Sequence, residues 1–267
     1  MTTDGKHHDE QPPAGFNPLR DIVVAITFLT RLPLPMMGSG GTSLASAAWA
    51  FPLAGVISGG VGGGVFFCFG LLDVPLLIAV TLGLAATVLI TGGLHEDGLA
   101  DVTDGFGGGA TKEKKLEIMH DSRIGAYGVL ALIFSVGLRV AALLIIANHD
   151  GAHGIYAAFI AAAVFSRGLL PAVMLGLPHA REDGVSRGAG RPGIPGVAVS
   201  LGLGAFGVYG LYLTQPTPAG YAMASALVAV LVFCLVARRQ VGGQTGDVIG
   251  AAQQVAEVSF LITLATL

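Results

Sequence analysis

Apolar stretches long enough to cross a bilayer recur along most of this 267-residue chain. A membrane-spanning helix needs about 20 consecutive, predominantly apolar residues. Seven stretches approach or exceed that length, near residues 45–72, 74–94, 124–147, 154–177, 195–214, 219–237 and 249–267. The pattern predicts an all-α polytopic membrane protein with about seven transmembrane helices.

The composition argues against an ordinary soluble domain. Hydrophobic residues make up 53% of the chain and charged residues only 12%, whereas soluble domains carry about 25% charged residues. Many of the 41 glycines lie inside apolar stretches, which suits close contact between helices in lipid. The run SGGVGGG at 58–64 therefore predicts a helix interface, either within the chain or between copies in a homo-oligomer.

The N-terminal region differs from the rest of the chain. Residues 1–18 are polar and contain proline, and we interpret them as a disordered tail. Residues 19–267 are expected to form a single integral membrane domain. Its first segment, 19–35, has an arginine near each end and a short apolar middle, which is typical of an interfacial helix rather than of a full span.

Basic residues alternate between successive connections. Lys and Arg precede the first span and occur in the loops at 95–123, 178–194 and 238–248. The intervening connections, around Asp73 and at 148–153 and 215–218, contain neither residue. Because cytoplasmic loops carry the excess of Lys and Arg, the N-terminus and the three basic loops are predicted to be cytoplasmic.

An acidic motif, LHEDGLADVTDGFGGG at 94–109, follows the second apolar stretch. On a helix, the spacing of Asp97, Asp101 and Asp104 places them within an arc of about 60°. Carboxylates crowded in this way repel one another unless a cation neutralises them, and Mg²⁺ prefers oxygen ligands. The motif therefore predicts an Mg²⁺ site for phosphate chemistry at the membrane surface.

Other residues of the motif are assigned by their position around the same helix. His95 is a candidate proton acceptor or phosphate contact. Glu96 points away from the aspartate arc and is expected to be solvated. The run Gly107–Gly109 fits a phosphate-binding loop or a flexible connection equally well, and it lacks the sequel of a Walker A loop.

A second polar island, Asp121-Ser122-Arg123, lies at the end of a predicted amphipathic surface helix that begins at Lys115. Arg123 is a candidate phosphate clamp, because a guanidinium group binds phosphate oxygens in a bidentate manner. Asp121 either joins the metal site or orients Arg123, and Ser122 is a candidate substrate contact beside them.

A third island, GGQTGD at 242–247, precedes the last span. Asp247 is a candidate metal ligand or partner of a sugar hydroxyl, and Gln244 and Thr245 are candidate substrate contacts. A tight turn uses the same residue types, so that alternative stays open.

Two arginines, Arg139 and Arg167, fall inside predicted spans. A charge at that depth is costly and usually faces a polar cavity or a partner. Both are candidate contacts of a substrate phosphate, and the alternative is a structural ion pair with an intramembrane acid such as Glu257.

These motifs together resemble the cobalamin synthase family, the adenosylcobinamide-GDP ribazoletransferases. The combination of HxDGLADxxDG, DSRxG and GGxTGD in one polytopic chain is highly specific, and only the N-terminal tail lies outside the resemblance. The segments that carry it are FLTRLP at 28–33, FPLAG at 51–55, TGGLHEDGLADVTDG at 91–105, LEIMHDSRIGAYG at 116–128, SRG at 166–168 and GGQTGDVIGA at 242–251.

The resemblance implies the last assembly step of coenzyme B12. Adenosylcobinamide-GDP and α-ribazole, or its 5′-phosphate, are joined with release of GMP. Mg²⁺ is the implied cofactor and the bacterial inner membrane the implied location. The implied partners are the two small-molecule substrates and the lipid bilayer, and not nucleic acid.

Residue roles follow from that chemistry. Asp97, Asp101 and Asp104 are expected to hold one or two Mg²⁺ ions on the pyrophosphate, with Asp247 or Asp121 as a further ligand. One of these carboxylates, or His95, is expected to take the hydroxyl proton. The phosphate oxygens are expected to contact two arginines, Arg123 and Arg167.

Two other functions compete with this interpretation. CDP-alcohol phosphotransferases also use aspartates on a membrane helix to displace a nucleoside monophosphate, but their DGxxAR continuation is missing here, since Asp101 follows Leu99-Ala100. A cation transporter predicts acidic residues near the bilayer midplane in matching halves. The acids of this chain instead cluster at predicted cytoplasmic ends of spans.

Overall fold

A computed structural model of the protein describes residues 17–35, 43–181 and 188–267. Within these ranges the regular structure is helical, apart from one isolated β-bridge between His179 and Gln244. The predicted all-α class is therefore confirmed. The predicted tail, residues 1–18, lies outside the described residues except for its last two positions.

The helices follow one another through the sequence with short connections. They are α1 (Pro18–Leu29), α2 (Leu44–Ala47), a 3₁₀ turn (Ala48–Ala50), α3 (Phe51–Leu71), α4 (Leu76–Thr91), α5 (Leu94–Gly108), α6 (Lys112–Met119), α7 (Ala126–Gly176), α8 (Ile194–Leu211), α9 (Pro216–Val241) and α10 (Gly246–Ala265).

Local sequence signals explain where several helices begin. The side chains of Asn17, Thr111 and Thr245 each accept a hydrogen bond from the backbone N–H three residues later, as N-cap residues do. Proline occupies the first turn of α1, α3, α8 and α9, where its missing N–H has no helical partner to lose.

Five segments within the described ranges are long and apolar enough to cross a membrane, namely Leu44–Leu71, α7, α8, α9 and α10. The count rises to six if α4 and α5, which are bent by 87°, form one span. The protein is thus polytopic by length and composition. The count differs from the predicted seven because the stretches at 124–147 and 154–177 both fall within α7.

Helix α7 is 51 residues long, but it is a hairpin of two arms that meet at Gly151 (φ 67°, ψ −163°). Arg139 and Arg167 lie on opposite arms, and a straight helix would hold their Cα atoms about 42 Å apart. Both guanidinium groups nevertheless reach the carboxylate of Glu257, at 3.2 and 3.8 Å. The two arms therefore lie side by side, and α10 packs against both.

Glycines allow α3 to press directly against the second arm of α7. A Cβ atom at Gly55 or Gly59 would lie 2.5 Å from the carbonyl oxygen of Ala163 or Phe159, respectively. Such a distance is a clash, so these positions require glycine at this helix separation. The predicted interface at 58–64 is thus partly an interface within the chain, while the alternative of a homo-oligomer stays a prediction.

Helix α1 has 12 residues and is about 18 Å long, shorter than the hydrocarbon core. It matches the short helix predicted within 19–35. Its buried Asp21 accepts a 2.9 Å hydrogen bond from the indole nitrogen of Trp49. This bond fastens α1 to the 3₁₀ turn before α3.

The predicted cytoplasmic loops meet at one end of the bundle. The Lys115 ammonium contacts the Gln240 side chain, and the Arg181 guanidinium contacts the Leu116 carbonyl oxygen. The loops at 95–123 and 238–248, together with the residues around Arg181, therefore belong to one surface of the protein. The α5 to α6 segment and the start of α10 lie at this same end.

Candidate active site

Helix α5 carries the acidic motif and begins at a sharp bend. Helix α4 is followed by Gly92 and Gly93, whose backbones are left-handed, with φ of 68° and 70°. Glycine adopts this conformation without the steric cost of a Cβ atom. The bend directs α5 onto the first turns of α10, so the acidic motif meets the GGQTGD segment.

The two helices touch where both lack side chains. A Cβ atom at Gly98 would lie 2.7 Å from the carbonyl oxygen of Asp247, and one at Gly250 would lie 3.3 Å from that of Leu94. Gly98 in particular leaves no room for a larger residue. Asp97 and Asp101, which flank Gly98 on α5, are thereby brought to the first turn of α10.

Three carboxylates gather around this crossing. Asp97 is exposed, whereas Asp101 and Asp247 are half-buried. Burial, followed by the charges of Asp97, Asp247 and Asp104, raises the pKa of Asp101 to about 7. Asp101 lies on α5, outside the five membrane-spanning segments. Such crowding of acidic groups favours a bound cation, as the sequence motif predicts.

Asp104, the third aspartate of the motif, has a different role. It is 7% exposed, and its two oxygens accept hydrogen bonds from the backbone N–H groups of Gly125 and Gly128, at 2.7 and 2.9 Å. A carboxylate at the start of α7 satisfies donors that have no partner within the helix. Asp104 is therefore a structural cap that joins α5 to α7, and its role as a metal ligand stays a prediction.

Thr245 and Gln244 both make contacts within the protein. The Thr245 hydroxyl caps α10 and donates to Asp247 Oδ2 at 3.2 Å. The Gln244 amide donates to the carbonyl oxygens of Met174 and Leu177, at 2.8 and 2.9 Å, and its side chain is buried. Thr245 thus orients Asp247 and Gln244 holds the end of α7, while contact of either residue with a substrate stays a prediction.

The Asp121-Ser122-Arg123 island is exposed in the loop between α6 and α7. The Arg123 side chain is 87% exposed and pairs with Asp121, whose Oδ2 is 2.6 Å from Nη2. This bond lowers the pKa of Asp121 to about 2. The geometry supports the alternative in which Asp121 orients Arg123, and it leaves the guanidinium group open to solvent.

Arg139 and Arg167 are buried in an ion-pair network beneath the carboxylates. Arg139 Nη1 lies 3.0 Å from Glu96 Oε1 and 3.2 Å from Glu257 Oε1. Arg167 donates to the Ala163 carbonyl oxygen at 3.1 Å and lies 3.8 Å from Glu257. The structure thus shows the predicted ion pair with Glu257, while a contact of either arginine with a substrate phosphate stays a prediction.

Sequence reasoning missed several members of this network. Glu96 was expected to be solvated, but its side chain is only 12% exposed, and it also accepts a 3.1 Å hydrogen bond from Gln254. Gln253 bonds Ser166 and Gln254 bonds Ser135. Polar residues at 253, 254 and 257, on one side of an otherwise apolar helix, were the signal that could have found them.

A small cavity of about 20 Å³ lies within this network. Four buried polar atoms of its lining residues have no protein partner: His95 Nε2, Glu96 Oε2, Arg139 Nη2 and Arg167 Nε. A volume of this size with several polar partners is suited to one water molecule. His95 is 2% exposed and also borders a second, larger cavity next to Asp97 and Asp247.

Within the described ranges, no three His, Cys, Asp or Glu side chains are placed to hold a metal ion by themselves. Mg²⁺ is usually bound by one or two carboxylates together with substrate phosphates and water, rather than by an all-protein cage. The oxygen donors of Asp97, Asp101 and Asp247 fit a site of that kind.

Comparison with known proteins agrees with the motifs. The family model described as cobalamin-5-phosphate synthase matches residues 21–265. The adenosylcobinamide-GDP ribazoletransferase of Bradyrhizobium diazoefficiens is 44% identical over 93% of this chain and 94% of its own length. The same enzyme of Mesorhizobium japonicum is 44% identical over 91% of this chain and 92% of its own length. That of Sinorhizobium medicae is 41% identical over 92% of this chain and 95% of its own length. No solved structure matches the chain.

Proposed function

The chain belongs to the cobalamin-5-phosphate synthase family, and from that premise we propose that it joins adenosylcobinamide-GDP to ribazole, or to its 5′-phosphate, with release of GMP. This is the final step of cobalamin assembly. The family match over residues 21–265 carries the proposal. It also decides in favour of this transferase over the CDP-alcohol phosphotransferase and cation-transporter hypotheses.

The reaction is a phosphoryl transfer in which one bond to phosphorus forms and one breaks. A ribose hydroxyl oxygen of ribazole forms a bond to the phosphorus on the cobinamide side of the pyrophosphate. The bond from that phosphorus to the bridging oxygen breaks, and GMP leaves with the electron pair. The hydroxyl proton passes to a base. Catalysis of such a step depends on positioning and on neutralising phosphate charge.

One or two carboxylates of the cluster formed by Asp97, Asp101 and Asp247 would hold Mg²⁺ in this scheme, together with the pyrophosphate and water. The assignment is supported by three carboxylates around Gly98, among which burial and then the neighbouring charges destabilise the anion of Asp101. When bound, Mg²⁺ would neutralise the negative charge of the pyrophosphate. Thr245 holds the Asp247 carboxylate in place.

The chain's own side chains supply the remaining steps. A carboxylate of Asp97 or Asp101 accepts the ribose hydroxyl proton, because both flank the crossing at Gly98. His95, the other candidate base, is 2% exposed and adjoins the buried ion-pair network, which favours a positioning role. Arg123, oriented by Asp121, binds a phosphate oxygen of the donor.

The membrane topology is part of the proposal. Counting each arm of α7 and helix α4 as crossings gives seven spans, with α1 and α5 at the interface. The basic loops that meet around Lys115 and Arg181 support a cytoplasmic location for this end of the bundle. We place the site on the cytoplasmic face of the bacterial inner membrane.

Removal of divalent cation is expected to stop the reaction. Membranes that contain the protein should release GMP from adenosylcobinamide-GDP only when ribazole and Mg²⁺ are both present. Chelation by EDTA should reduce the rate at least about a hundredfold, because the charged pyrophosphate loses its counter-ion. Readdition of Mg²⁺ should restore it. GMP release that is unaffected by EDTA would refute the metal assignment, and membranes without the protein serve as the control.

A further inference from the structure

A largely apolar cavity of about 250 Å³ adjoins the candidate active site. Six helices line it: α1, α2, α3, α5, α7 and α10. Its polar wall carries Asp97, Asp247 and His95, and its other walls carry aliphatic and aromatic residues such as Phe28, Phe51 and Met174. The cavity is therefore apolar except where it meets the carboxylates.

The apolar walls exclude a phosphate from the part of the cavity away from Asp97 and Asp247. Among the lining residues, which all belong to the described ranges, there is no lysine or arginine. A phosphate among the apolar side chains, away from a cation held by the two aspartates, would be buried without a cationic partner, which is strongly unfavourable. The occupant of the deep apolar part is thus an uncharged group.

The substrates of the proposed reaction contain four large groups that lack a phosphate. The corrin system is larger than a drug-sized ligand, which by itself needs about 300 Å³ or more. Guanine and the adenine of the adenosyl group carry several donors and acceptors along their edges, and burial against Phe28, Phe51 and Met174 would leave these unpaired. The base of ribazole is a flat benzimidazole with two methyl groups. It is small enough for the cavity, and it has few polar atoms that would be left unpaired.

We propose that this cavity binds the benzimidazole base of ribazole, with its ribose held beside Asp97 and Asp247. The inference rests on the proposed function and names where the acceptor binds. Phe28 and Phe51 offer faces or edges to a planar ring, and Met174 offers a polarisable thioether. The ribose hydroxyl then lies at the carboxylate wall, where the transfer takes place.

Glycine at position 246 gives the proposal a sharp test. Gly246 lines the cavity, and no atom lies within 4 Å of a Cβ atom built there. Gly246→Ala therefore adds a methyl group at the cavity lining without a clash in the empty protein. Its KM for ribazole should rise about tenfold or more, as expected for one or two methyl groups that no longer fit. The KM for the riboside of unmethylated benzimidazole should change less than about threefold.

Truncation of a side chain that lines the cavity provides a second variant. Phe28 is 41% exposed, so Phe28→Ala should fold normally and raise the KM for ribazole about tenfold. Phe67 is 49% exposed and lies outside the cavity, which makes Phe67→Ala the matched control with an unchanged KM. The KM for adenosylcobinamide-GDP should stay constant in all three variants.

These outcomes separate the pocket from the activity. If the wild-type protein releases GMP but both pocket variants keep the wild-type KM for ribazole, the pocket assignment is wrong and the proposed function stands. A rise in the KM for adenosylcobinamide-GDP alone would assign the cavity to the donor and also overturn the inference. Failure of the wild type to release GMP would overturn both.

Discussion

Asp97→Asn is expected to reduce GMP release at least about a hundredfold while the protein still inserts into membranes. Asp97 is exposed in the first turn of α5. The substitution keeps the side-chain shape but removes a charge from the carboxylate cluster that faces the pyrophosphate. The rate should be measured with membranes at matched protein levels, and folding by thermal unfolding in detergent.

Asp73→Asn is the matched control for this loss of charge. Asp73 is exposed in the connection between α3 and α4, away from the site, and its φ of 54° is one that asparagine tolerates. Its activity should equal that of the wild type. Asp104→Asn should instead lower thermal stability. The Asp104 oxygens accept hydrogen bonds from two backbone N–H groups, and the asparagine amide has an NH₂ group in place of one of these oxygens. Near-normal turnover by Asp97→Asn would contradict the proposed role of Asp97.

Arg139→Leu is expected to prevent stable folding. The Arg139 guanidinium is 1% exposed and lies between the carboxylates of Glu96 and Glu257. Its removal leaves two acidic groups buried with only Arg167 as a nearby cation. Breaking a buried pair in this way costs about 3–5 kcal/mol. The measurement is the yield of monodisperse protein after detergent extraction, together with its unfolding temperature.

Arg123→Leu supplies the contrast, because Arg123 is 87% exposed. It should fold like the wild type and lose activity, whereas Arg139→Leu should lose the fold. Arg139→Lys should recover part of the stability, since an ammonium group can still pair with one carboxylate. An Arg139→Leu protein with the yield and unfolding temperature of the wild type would show that the ion-pair network does not hold the bundle together.

Apolar length alone predicts most of the helices, because a span must satisfy its backbone within one helix. Apolar length does not predict that the segment joining the two arms of α7 is itself helical. The polar segment around His149 and Asp150 reads as a connection between two spans, yet the structure keeps it helical up to Gly151. Similarly, the left-handed pair Gly92 and Gly93 determines the bend before α5, and hydropathy carries no information about that bend.

The helical spacing of the aspartates shows which residues share a face, but not what that face contacts. Asp97 and Asp101 meet Asp247, as the combination of motifs suggests, whereas Asp104 meets the start of α7. Glu96 was assigned to solvent because it leaves the aspartate arc. Its side of α5 is covered by Arg139 and Gln254, and only the tertiary structure reveals that contact.

The fate of the two phosphorus atoms tests the central claim most directly. Adenosylcobinamide-GDP labelled with ³²P on the cobinamide side should be incubated with ribazole, Mg²⁺ and membranes that contain the protein. All transferred label should appear in the cobalamin product, and the released GMP should be unlabelled, because ribazole attacks the labelled phosphorus. Label in cobinamide phosphate, with guanosine joined to ribazole, would contradict this account.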